Sequence, residues 1–258
     1  MKLERQDRVG ILTIDTEHGN AINRELIREA HELMDEVEHD PMIRALVVAS
    51  THRSVFCPGV DLRSLITCSS TEMRAFFEAI TGLVQRKFVF PKPEVYALNG
   101  HTIAGGCIMA LTGDYRLMAR GRFYIGVIEI DLGLTASAGM VEMLLYVLGG
   151  RSAERILYTG ENYLPETALE LGLVDEVVEG EMLMARALEH ARVLGNRPQM
   201  AYGTVKRYAR QAIVERMREV DAAHLDDLVA LWFAEEAQQR LAATVQRLGK
   251  KAGVSPPS

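Results

Sequence analysis

The sequence of 258 residues contains little cysteine, no long apolar segment and no excess of positive charge. Its three cysteines, Cys57, Cys68 and Cys107, have neither the paired spacing of a zinc site nor the even number of a disulfide framework, so we expect reduced thiols. No uninterrupted apolar run approaches the roughly 18 residues that suggest a membrane span. A formal net charge of −6 argues against a basic, nucleic-acid-binding surface.

Other common signatures are also missing. Residues 1–5 have no signal-peptide core, which predicts a soluble, cytoplasmic protein. No spaced G-x-G-x-x-G follows the first predicted strand, which argues against dinucleotide binding. The sequence contains no solenoid-like repeat, low-complexity tract, flexible interdomain linker or cluster of metal ligands. With 48% hydrophobic residues, the chain can form a substantial core, either as one large domain or as a domain with a small appendage.

Predicted strands and helices alternate along the first half of the chain. The predicted strands are residues 9–15, 43–49, 94–98 and 114–119, and the predicted helices are residues 23–40 and 71–86. The first strand ends in a turn at residues 17–20, and Asn23 is the expected N-cap of the first helix. This alternation favours helices packed on parallel strands, an α/β fold, without fixing the strand order or the number of sheets.

Beyond about Gly195 the pattern becomes purely helical. Helical periodicity continues from Pro198 almost to Gly249, with no strand-like run. The apolar residues of this region include Leu225, Leu228, Val229, Leu231, Trp232 and Phe233. These are more than one exposed amphipathic helix would carry, so we expect them to pack on the core or on neighbouring subunits. We divide the chain into a core of residues 1–195 and a helical region of residues 196–258.

Two short segments place glycine where a predicted strand gives way to a turn or a helix. They are residues 56–62 and residues 99–107. Glycine lets a ligand approach the main chain closely, and a helix that begins near Gly105 adds the partial positive charge of its amino end. Such a site suits a developing negative charge. A glycine pair such as Gly105 and Gly106 also serves turns and close packing, so this pattern alone leaves both interpretations open.

Taken together, five ordered segments resemble the crotonase superfamily. They are residues 19–23, 56–62, 99–107, 114–116 and 169–175, so the resemblance covers most of the chain. It implies an α/β fold with a crotonase-like core of repeated strand–strand–helix units and a C-terminal helical region that covers the active site and supports oligomerisation. It also implies that the protein binds a thioester of coenzyme A.

The resemblance implies roles for particular residues. The backbone amides of Val60 and Gly105 would form an oxyanion hole, in which one donor contributes roughly 3 to 4 kcal/mol when it meets an enolate oxygen. The residues implied to lie along coenzyme A and the substrate are Ala21, Ile22, Pro58, Gly59, Val60, Asp61, Leu62, Gly105 and Ile128. No separate cofactor is expected, because coenzyme A is part of the substrate, and the enolate mechanism needs no metal ion.

Glu129 is the candidate acid or base. It lies among aliphatic residues, where a single glutamate in an arbitrary sequence is usually a solvent-facing residue of a strand or loop. In crotonase-type hydratases a glutamate stands at the matching position, and a second stands three residues after the oxyanion-hole glycine. That second position is Ile108 in this chain. On a helix that starts near Gly105, residue 108 returns to the same face, but isoleucine does not hold or activate water.

The reaction follows from this single carboxylate. Hydration needs a positioned water, whereas moving a double bond from C3 to C2 needs one base that removes a proton at C2 and returns it at C4. The segments around Gly105, Asp114 and Glu129 look most like those of mitochondrial Δ3,Δ2-enoyl-CoA isomerases, which agrees with the chemical reasoning. We predict an enoyl-CoA isomerase with Glu129 as its catalytic residue. An enoyl-CoA hydratase or a non-catalytic acyl-CoA-binding homologue are the alternatives.

Several further residues bear on this prediction. Dienoyl-CoA isomerases are expected to use an additional aspartate where this chain has Ser137, which disfavours that activity. We do not count Asp131 as the additional acid, on the expectation that it projects to the opposite face from Glu129 in an extended segment. His101 is a possible proton carrier and Cys107 a possible nucleophile, although residues of these types are more often structural. By resemblance we also predict a homotrimer or a dimer of trimers.

Overall fold

The computed structural model describes residues 1–16 and 19–252, with side chains described as far as Gly249. Glu17 and His18 of the predicted turn, and residues 253–258 of the predicted helical region, lie outside the described residues. The strands are β1 (Lys2–Gln6), β2 (Val9–Ile14), β3 (Ala45–Ser50), β4 (Val55–Cys57), β5 (Glu94–Leu98), β6 (His101–Ile103), β7 (Tyr115–Ala119), β8 (Ile125–Gly126) and β9 (Glu176–Val178). The helices are α1 (Arg24–His39), α2 (Leu62–Leu65), α3 (Ser70–Phe88), α4 (Gly105–Leu111), α5 (Ala138–Leu148), α6 (Gly150–Thr159), α7 (Pro165–Glu170), α8 (Leu183–Gly195), α9 (Gln199–Phe233) and α10 (Glu235–Ala252).

The main sheet has six strands in the order β1-β2-β3-β5-β7-β9. β1 pairs antiparallel with β2, and every other pair in this sheet is parallel. Every residue of β5 is buried, which is why this strand reads as a nearly continuous apolar run. The predicted α/β architecture is therefore confirmed. β1 was not predicted, because its charged residues make an exposed edge strand without a clear apolar alternation.

Local signals set the bounds of the first helix as predicted. The side chain of Asn23 accepts a hydrogen bond from the amide of Leu26 at 2.9 Å and caps the start of α1. The helix ends at His39, directly before Asp40 and Pro41. Its buried face includes Ile27, Met34 and Val37, which have the helical spacing that the sequence indicates. α1 therefore packs where the pattern predicts.

A second, smaller sheet consists of three short parallel strands in the order β4-β6-β8. Thr102 of β6 is paired with both Cys57 of β4 and Ile125 of β8. The sequence pattern left the number of sheets open, and this second sheet is the part of the fold that positions the candidate site.

The C-terminal helices pack on the core. Leu228, Val229 and Trp232 of α9 are buried, which confirms that part of the predicted apolar face contacts the core. Leu231 and Phe233 remain 38% and 40% exposed. The division of the chain into residues 1–195 and 196–258 stays a prediction. Among the described helices, none combines the length and the apolar character needed to cross a membrane.

A buried charge cluster attaches α9 to the main sheet. The carboxylate of Asp114, just before β7, forms ion pairs with Lys206 at 2.7 Å and with Arg210 at 3.2 Å. The side chains of Asp114 and Lys206 are 9% and 5% exposed. Because loss of one partner would leave a buried charge unpaired, removing any one of these side chains would destabilise the protein.

Candidate active site

The candidate site lies where the three strands of the smaller sheet end. β4 leads into residues 58–62, β6 leads into Ala104 and Gly105, and β8 leads into residues 127–129. Because these strands are parallel, their carboxyl ends meet at one edge of the sheet, where ligands of α/β proteins commonly bind. Val60, Gly105 and Glu129, which are far apart in sequence, all line one pocket there.

We call residues 58–62 the Val60 loop. It is joined to the loop that contains Ala21 and Ile22. The amide of Ile22 donates to the carbonyl oxygen of Gly59 at 2.8 Å, and the amide of Asp61 donates to the carbonyl oxygen of Ile22 at 2.9 Å. Ile22 and Val60 thus form an isolated parallel bridge. These two segments, predicted separately from the sequence, form one continuous support for the Val60 amide.

Asn20 anchors this support. Its side-chain amide donates to the carbonyl oxygen of Phe56 at 3.0 Å and to the hydroxyl of Ser50 at 2.7 Å. The residue is 1% exposed and has a φ of 66°. Asparagine tolerates this left-handed conformation better than most residues. Asn20 belongs to one of the family segments, but its anchoring role was not predicted, because that role depends on contacts with β3 and β4.

Glycine allows the Val60 loop and α4 to approach each other closely. Gly59 has a φ of +96°, and a Cβ atom there would lie 2.9 Å from the Cβ of Ala104 and 3.3 Å from the amide nitrogen of Gly105. A Cβ atom on Gly106 would lie 2.3 Å from the carbonyl oxygen of Cys57. Ala104 itself has a φ of 53°, a conformation that costs energy for a non-glycine residue. The geometry therefore depends on small residues at these positions.

The amides of Val60 and Gly105 are available as donors. Neither has a hydrogen-bond acceptor among the residues that the structure describes. Gly105 is the first residue of α4, and the first amides of a helix have no intrahelical partner. Both residues line the pocket.

Glu129 begins a short 3-10 helix, Glu129–Leu132, rather than lying in an extended segment. Its Oε2 atom is completely buried and has no hydrogen-bond partner among the described residues. Burial raises the pKa of this carboxyl group from 4.5 to about 7, and backbone hydrogen bonds at Glu129 and Ile128 oppose that rise. The interpretation of Glu129 as an ordinary solvent-facing residue is therefore wrong.

The 3-10 helix also changes the reason for setting Asp131 aside. The expectation that Asp131 points away from Glu129 is wrong on two counts, because residues two apart in an extended segment lie on the same face and because this segment is a 3-10 helix. Asp131 is nevertheless exposed and does not line the pocket. Within the described lining, Glu129 is the one ionisable side chain.

The pocket contains about 720 Å³ of space not occupied by protein atoms, part of it open to solvent. Its lining is mainly apolar and includes Phe76, Phe77, Ile80 and Val84 from α3, Ile108 from α4, and Leu228 and Trp232 from α9. Ile108 lies one turn after Gly105, on the face that the helical spacing predicts. The contributions of α3 and α9 were not identified from the sequence, where apolar periodicity indicates a buried face but not its neighbour.

The remaining predicted binding residues lie beside the pocket rather than in its lining. Val60, Leu62 and Gly105 line it, whereas Ala21, Ile22, Pro58, Gly59, Asp61 and Ile128 do not. Asp61 caps α2, since its side chain accepts a hydrogen bond from the amide of Arg63 at 3.2 Å. Contact of these residues with coenzyme A stays a prediction.

Three other candidates have structural roles. Ser137 lines the pocket, and its hydroxyl caps α5 by accepting a hydrogen bond from the amide of Met140 at 3.2 Å. His101 stacks on Tyr124, accepts a hydrogen bond from its amide at 3.1 Å, and is not part of the pocket lining. Burial raises the pKa of the Cys107 thiol, which is unfavourable for a nucleophile.

The fold and this site define an enzyme of the crotonase type. The chain belongs to the enoyl-CoA hydratase/isomerase family, whose model matches residues 4–246. The predicted resemblance is therefore confirmed.

The family name covers two reactions, and the individual relatives include proteins named for each of them. The human protein Enoyl-CoA delta isomerase 1, mitochondrial, is 30% identical over 235 residues, which cover 91% of this chain and 78% of the relative. Short-chain-enoyl-CoA hydratase of Clostridium acetobutylicum is 29% identical over 224 residues, which cover 86% of this chain and 84% of the relative. The sequence identities to the isomerase and to the hydratase are similar, so identity alone does not distinguish isomerisation from hydration. The residues of the site have to distinguish them.

A solved structure shows the same fold. The crystal structure of human mitochondrial delta3-delta2-enoyl-CoA isomerase has a TM-score of 0.93 to this chain, at 28% sequence identity. The similarity covers 98% of this chain and 99% of that one. The crotonase-like core and the C-terminal helical region are thus both confirmed.

Proposed function

We propose that this protein is an enoyl-CoA isomerase that shifts the double bond of a 3-enoyl-CoA to the 2-trans position. The observation that carries the proposal is a single ionisable side chain, Glu129, in the described lining of an otherwise largely apolar pocket. One carboxylate is sufficient for a proton transfer from C2 to C4. The acyl group enters as a coenzyme A thioester, so the reaction needs no separate cofactor or metal ion.

The amides of Val60 and Gly105 act as the oxyanion hole in this proposal. Both residues line the pocket, and their amides lack an acceptor among the described residues. When the C2 proton leaves, negative charge moves onto the thioester oxygen and an enolate forms. Two preorganised donors stabilise that charge more strongly than the neutral carbonyl, and each contributes on the order of 3 to 4 kcal/mol to the transition state. The adjoining segments, Ala21 with Ile22 and residues 58–62, would lie along coenzyme A.

Glu129 carries the proton. Its ionised carboxylate removes a proton from C2, and the electron pair of that C–H bond forms the enolate. The protonated acid then returns the proton at C4, while the 3,4 double bond moves to the 2,3 position and the carbonyl re-forms. A pKa of about 7 suits both steps, because the group is an effective base when ionised and is readily protonated in its apolar surroundings.

Ile108 supports isomerisation over hydration. Its side chain lines the pocket one turn after Gly105 and is 2% exposed. An aliphatic side chain has no donor or acceptor for a nucleophilic water. Glu129 would then have to position that water alone and also protonate the substrate.

Isomerisation should exceed hydration by at least about 100-fold in kcat/KM, the lower range of the contribution of one acid–base group. The measurement uses the wild-type enzyme with 3-hexenoyl-CoA and with 2-trans-hexenoyl-CoA, and chromatography of the acyl-CoA products. Equal or faster hydration would contradict the single-base mechanism. If neither thioester reacted but both bound, the protein would instead be a non-catalytic acyl-CoA-binding homologue.

A homotrimer or a dimer of trimers is part of the proposal. It is supported by apolar residues exposed near the start of α9, where Met200, Val205 and Tyr208 are 85%, 68% and 76% exposed. Multi-angle light scattering should give three or six times the chain mass of 28.7 kDa. A mass of one chain at every concentration would rule out the assembly. The cytoplasmic location stays a prediction.

A further inference from the structure

A second cavity lies between α3 and α9, next to the candidate active-site pocket. We call the active-site pocket the inner pocket and this neighbour the outer cavity, which contains about 650 Å³ of space not occupied by protein atoms, part of it open to solvent. The outer cavity is more polar, with Glu78, Gln85, Asp221 and His224 in its lining. Three residues, Thr81, Ser137 and Leu228, line both spaces and therefore form the boundary between them.

One face of α9 runs from the outer cavity to the inner pocket. His224 and Leu225 line the outer cavity, Trp232 lines the inner pocket, and Leu228 lines both. Residues three and four apart lie on the same face of a helix, so these four side chains follow one another along α9. Leu228 is therefore the position on this face where the apolar space ends and the more polar space begins.

The other two boundary side chains are small and hydrogen-bonded to the backbone. The hydroxyl of Thr81 donates to the carbonyl oxygen of Glu78 at 3.1 Å. The hydroxyl of Ser137 accepts from the amide of Met140 at 3.2 Å. Leu228 is 7% exposed and is held by packing alone, since leucine has no polar side-chain atom. Among the three, Leu228 has the largest side chain, so it fills most of the boundary between the two spaces.

The helices around this boundary are tied together. Asp221 of α9 accepts hydrogen bonds from the amide of Gly139 at 2.7 Å and from the side-chain amide of Gln85 at 2.9 Å. These bonds connect α9 to α5 and to α3. A Cβ atom on Gly139 would lie 2.3 Å from Oδ2 of Asp221, which shows how closely α5 and α9 approach. Opening the boundary by separating the helices would break this contact, whereas shortening the side chain of residue 228 would not.

We propose that Leu228 is a specificity-determining residue that ends the acyl site of this enzyme. Its side chain closes the inner pocket toward the outer cavity, so the preferred substrates are short- to medium-chain acyl thioesters. Longer acyl chains are disfavoured because their ends would have to displace Leu228 and enter the more polar outer cavity. This inference rests on the proposed function, since it takes the inner pocket to be the acyl-CoA site.

The test is the chain-length preference in Leu228→Ala. Binding of hexanoyl-CoA and dodecanoyl-CoA, which are saturated and do not react, is measured by titration calorimetry for the wild type and the variant. We define the preference as the Kd of hexanoyl-CoA divided by the Kd of dodecanoyl-CoA. This ratio should rise by at least about 10-fold in the variant, because additional methylene groups become buried. An unchanged preference would overturn the proposal.

Two further variants keep the test decisive. Leu225→Ala removes a leucine that lines the outer cavity alone, and its preference should stay within about twofold of the wild type. A shift as large as that of Leu228→Ala would refute the role of residue 228. Leu228→Phe keeps an apolar side chain and is expected to fold even if the alanine variant does not. It should lower the relative binding of dodecanoyl-CoA, and an increase would contradict the proposal.

Failure of this inference can be distinguished from failure of the proposed function. If the wild type binds hexanoyl-CoA and isomerises 3-hexenoyl-CoA, but the preference does not depend on residue 228, the enzyme assignment stands and the role of Leu228 is wrong. If the wild type neither binds the saturated thioesters nor isomerises 3-hexenoyl-CoA, both proposals are wrong.

Discussion

Replacing Glu129 with glutamine should lower kcat for a 3-enoyl-CoA by about 100- to 10,000-fold, the usual contribution of a general acid–base group. Glutamine has nearly the same volume but does not accept the C2 proton. The described pocket lining offers no second ionisable side chain to replace it. The measurement is the turnover of wild type and Glu129→Gln at saturating substrate. Near-normal turnover in the variant would remove Glu129 from the mechanism.

The pH profile tests the same residue in the wild type. Because the free enzyme needs the ionised carboxylate and the pKa of Glu129 is about 7, kcat/KM should be constant above about pH 7 and should fall as pH decreases below it. The fall should approach tenfold per pH unit. A profile that stays flat down to about pH 5 would contradict the raised pKa. Any residual activity of Glu129→Gln should lack this transition.

The free energy of unfolding of Glu129→Gln shows whether its loss of activity comes from misfolding. The folded protein binds the Glu129 proton more tightly than the unfolded chain, whose carboxyl group has a pKa near 4.5. The free energy of unfolding of the wild type should therefore decrease as pH rises from about 4.5 to about 7, by at most about 3 kcal/mol. Glutamine does not ionise, so the variant should be as stable as the wild type or more stable at about pH 8. A less stable variant would mean that misfolding explains its lost activity.

The variant Gly106→Ala should lose about 100-fold in kcat and about 1 to 3 kcal/mol in the free energy of unfolding. The added Cβ atom would lie 2.3 Å from the carbonyl oxygen and 2.8 Å from the Cβ of Cys57. α4 would have to move away from β4, and the amide of Gly105 would then move relative to that of Val60. Turnover is compared with chemical denaturation of the same preparations.

Gly150→Ala is the matched control. Gly150 is the first residue of α6, and a Cβ atom added there would have no neighbour within 4 Å. Activity should stay unchanged, and stability should stay the same or rise slightly, because alanine favours the helix more than glycine does. If Gly106→Ala behaved like this control, the close contact between α4 and β4 would not be needed to position the Gly105 amide.

Much of the local structure was predictable because its causes are local. Asn23 caps α1 directly, and Asp40 with Pro41 follows the last helical residue. Strand Glu94–Leu98 has the predicted bounds because both of its faces are buried. The edge strands β1 and β9 were not predicted. β1 is largely exposed and has no apolar alternation, and β9 is only three residues long and partly exposed.

For the candidate site, the family resemblance was enough to select Val60, Gly105 and Glu129 as candidates, and the structure places all three in the lining of one pocket. Their convergence depends on the parallel pairing of β4, β6 and β8, which short segments do not reveal. The backbone at Glu129 was also not predictable, because a 3-10 turn and an extended segment suit the same residues. The aliphatic neighbours of Glu129 are visible in the sequence, but the size of its pKa shift depends on the burial of the carboxyl group in the folded protein.

The sequence by itself determined the α/β class, the likeness to the crotonase family, the single candidate base and the aliphatic residue at position 108. These properties depend on residue identity, order and short-range periodicity. Tertiary structure alone decided that Leu228 and Trp232 of α9 complete a pocket begun by residues more than a hundred positions earlier. Apolar spacing along a helix shows which face is buried, but what that face meets depends on packing across the whole fold.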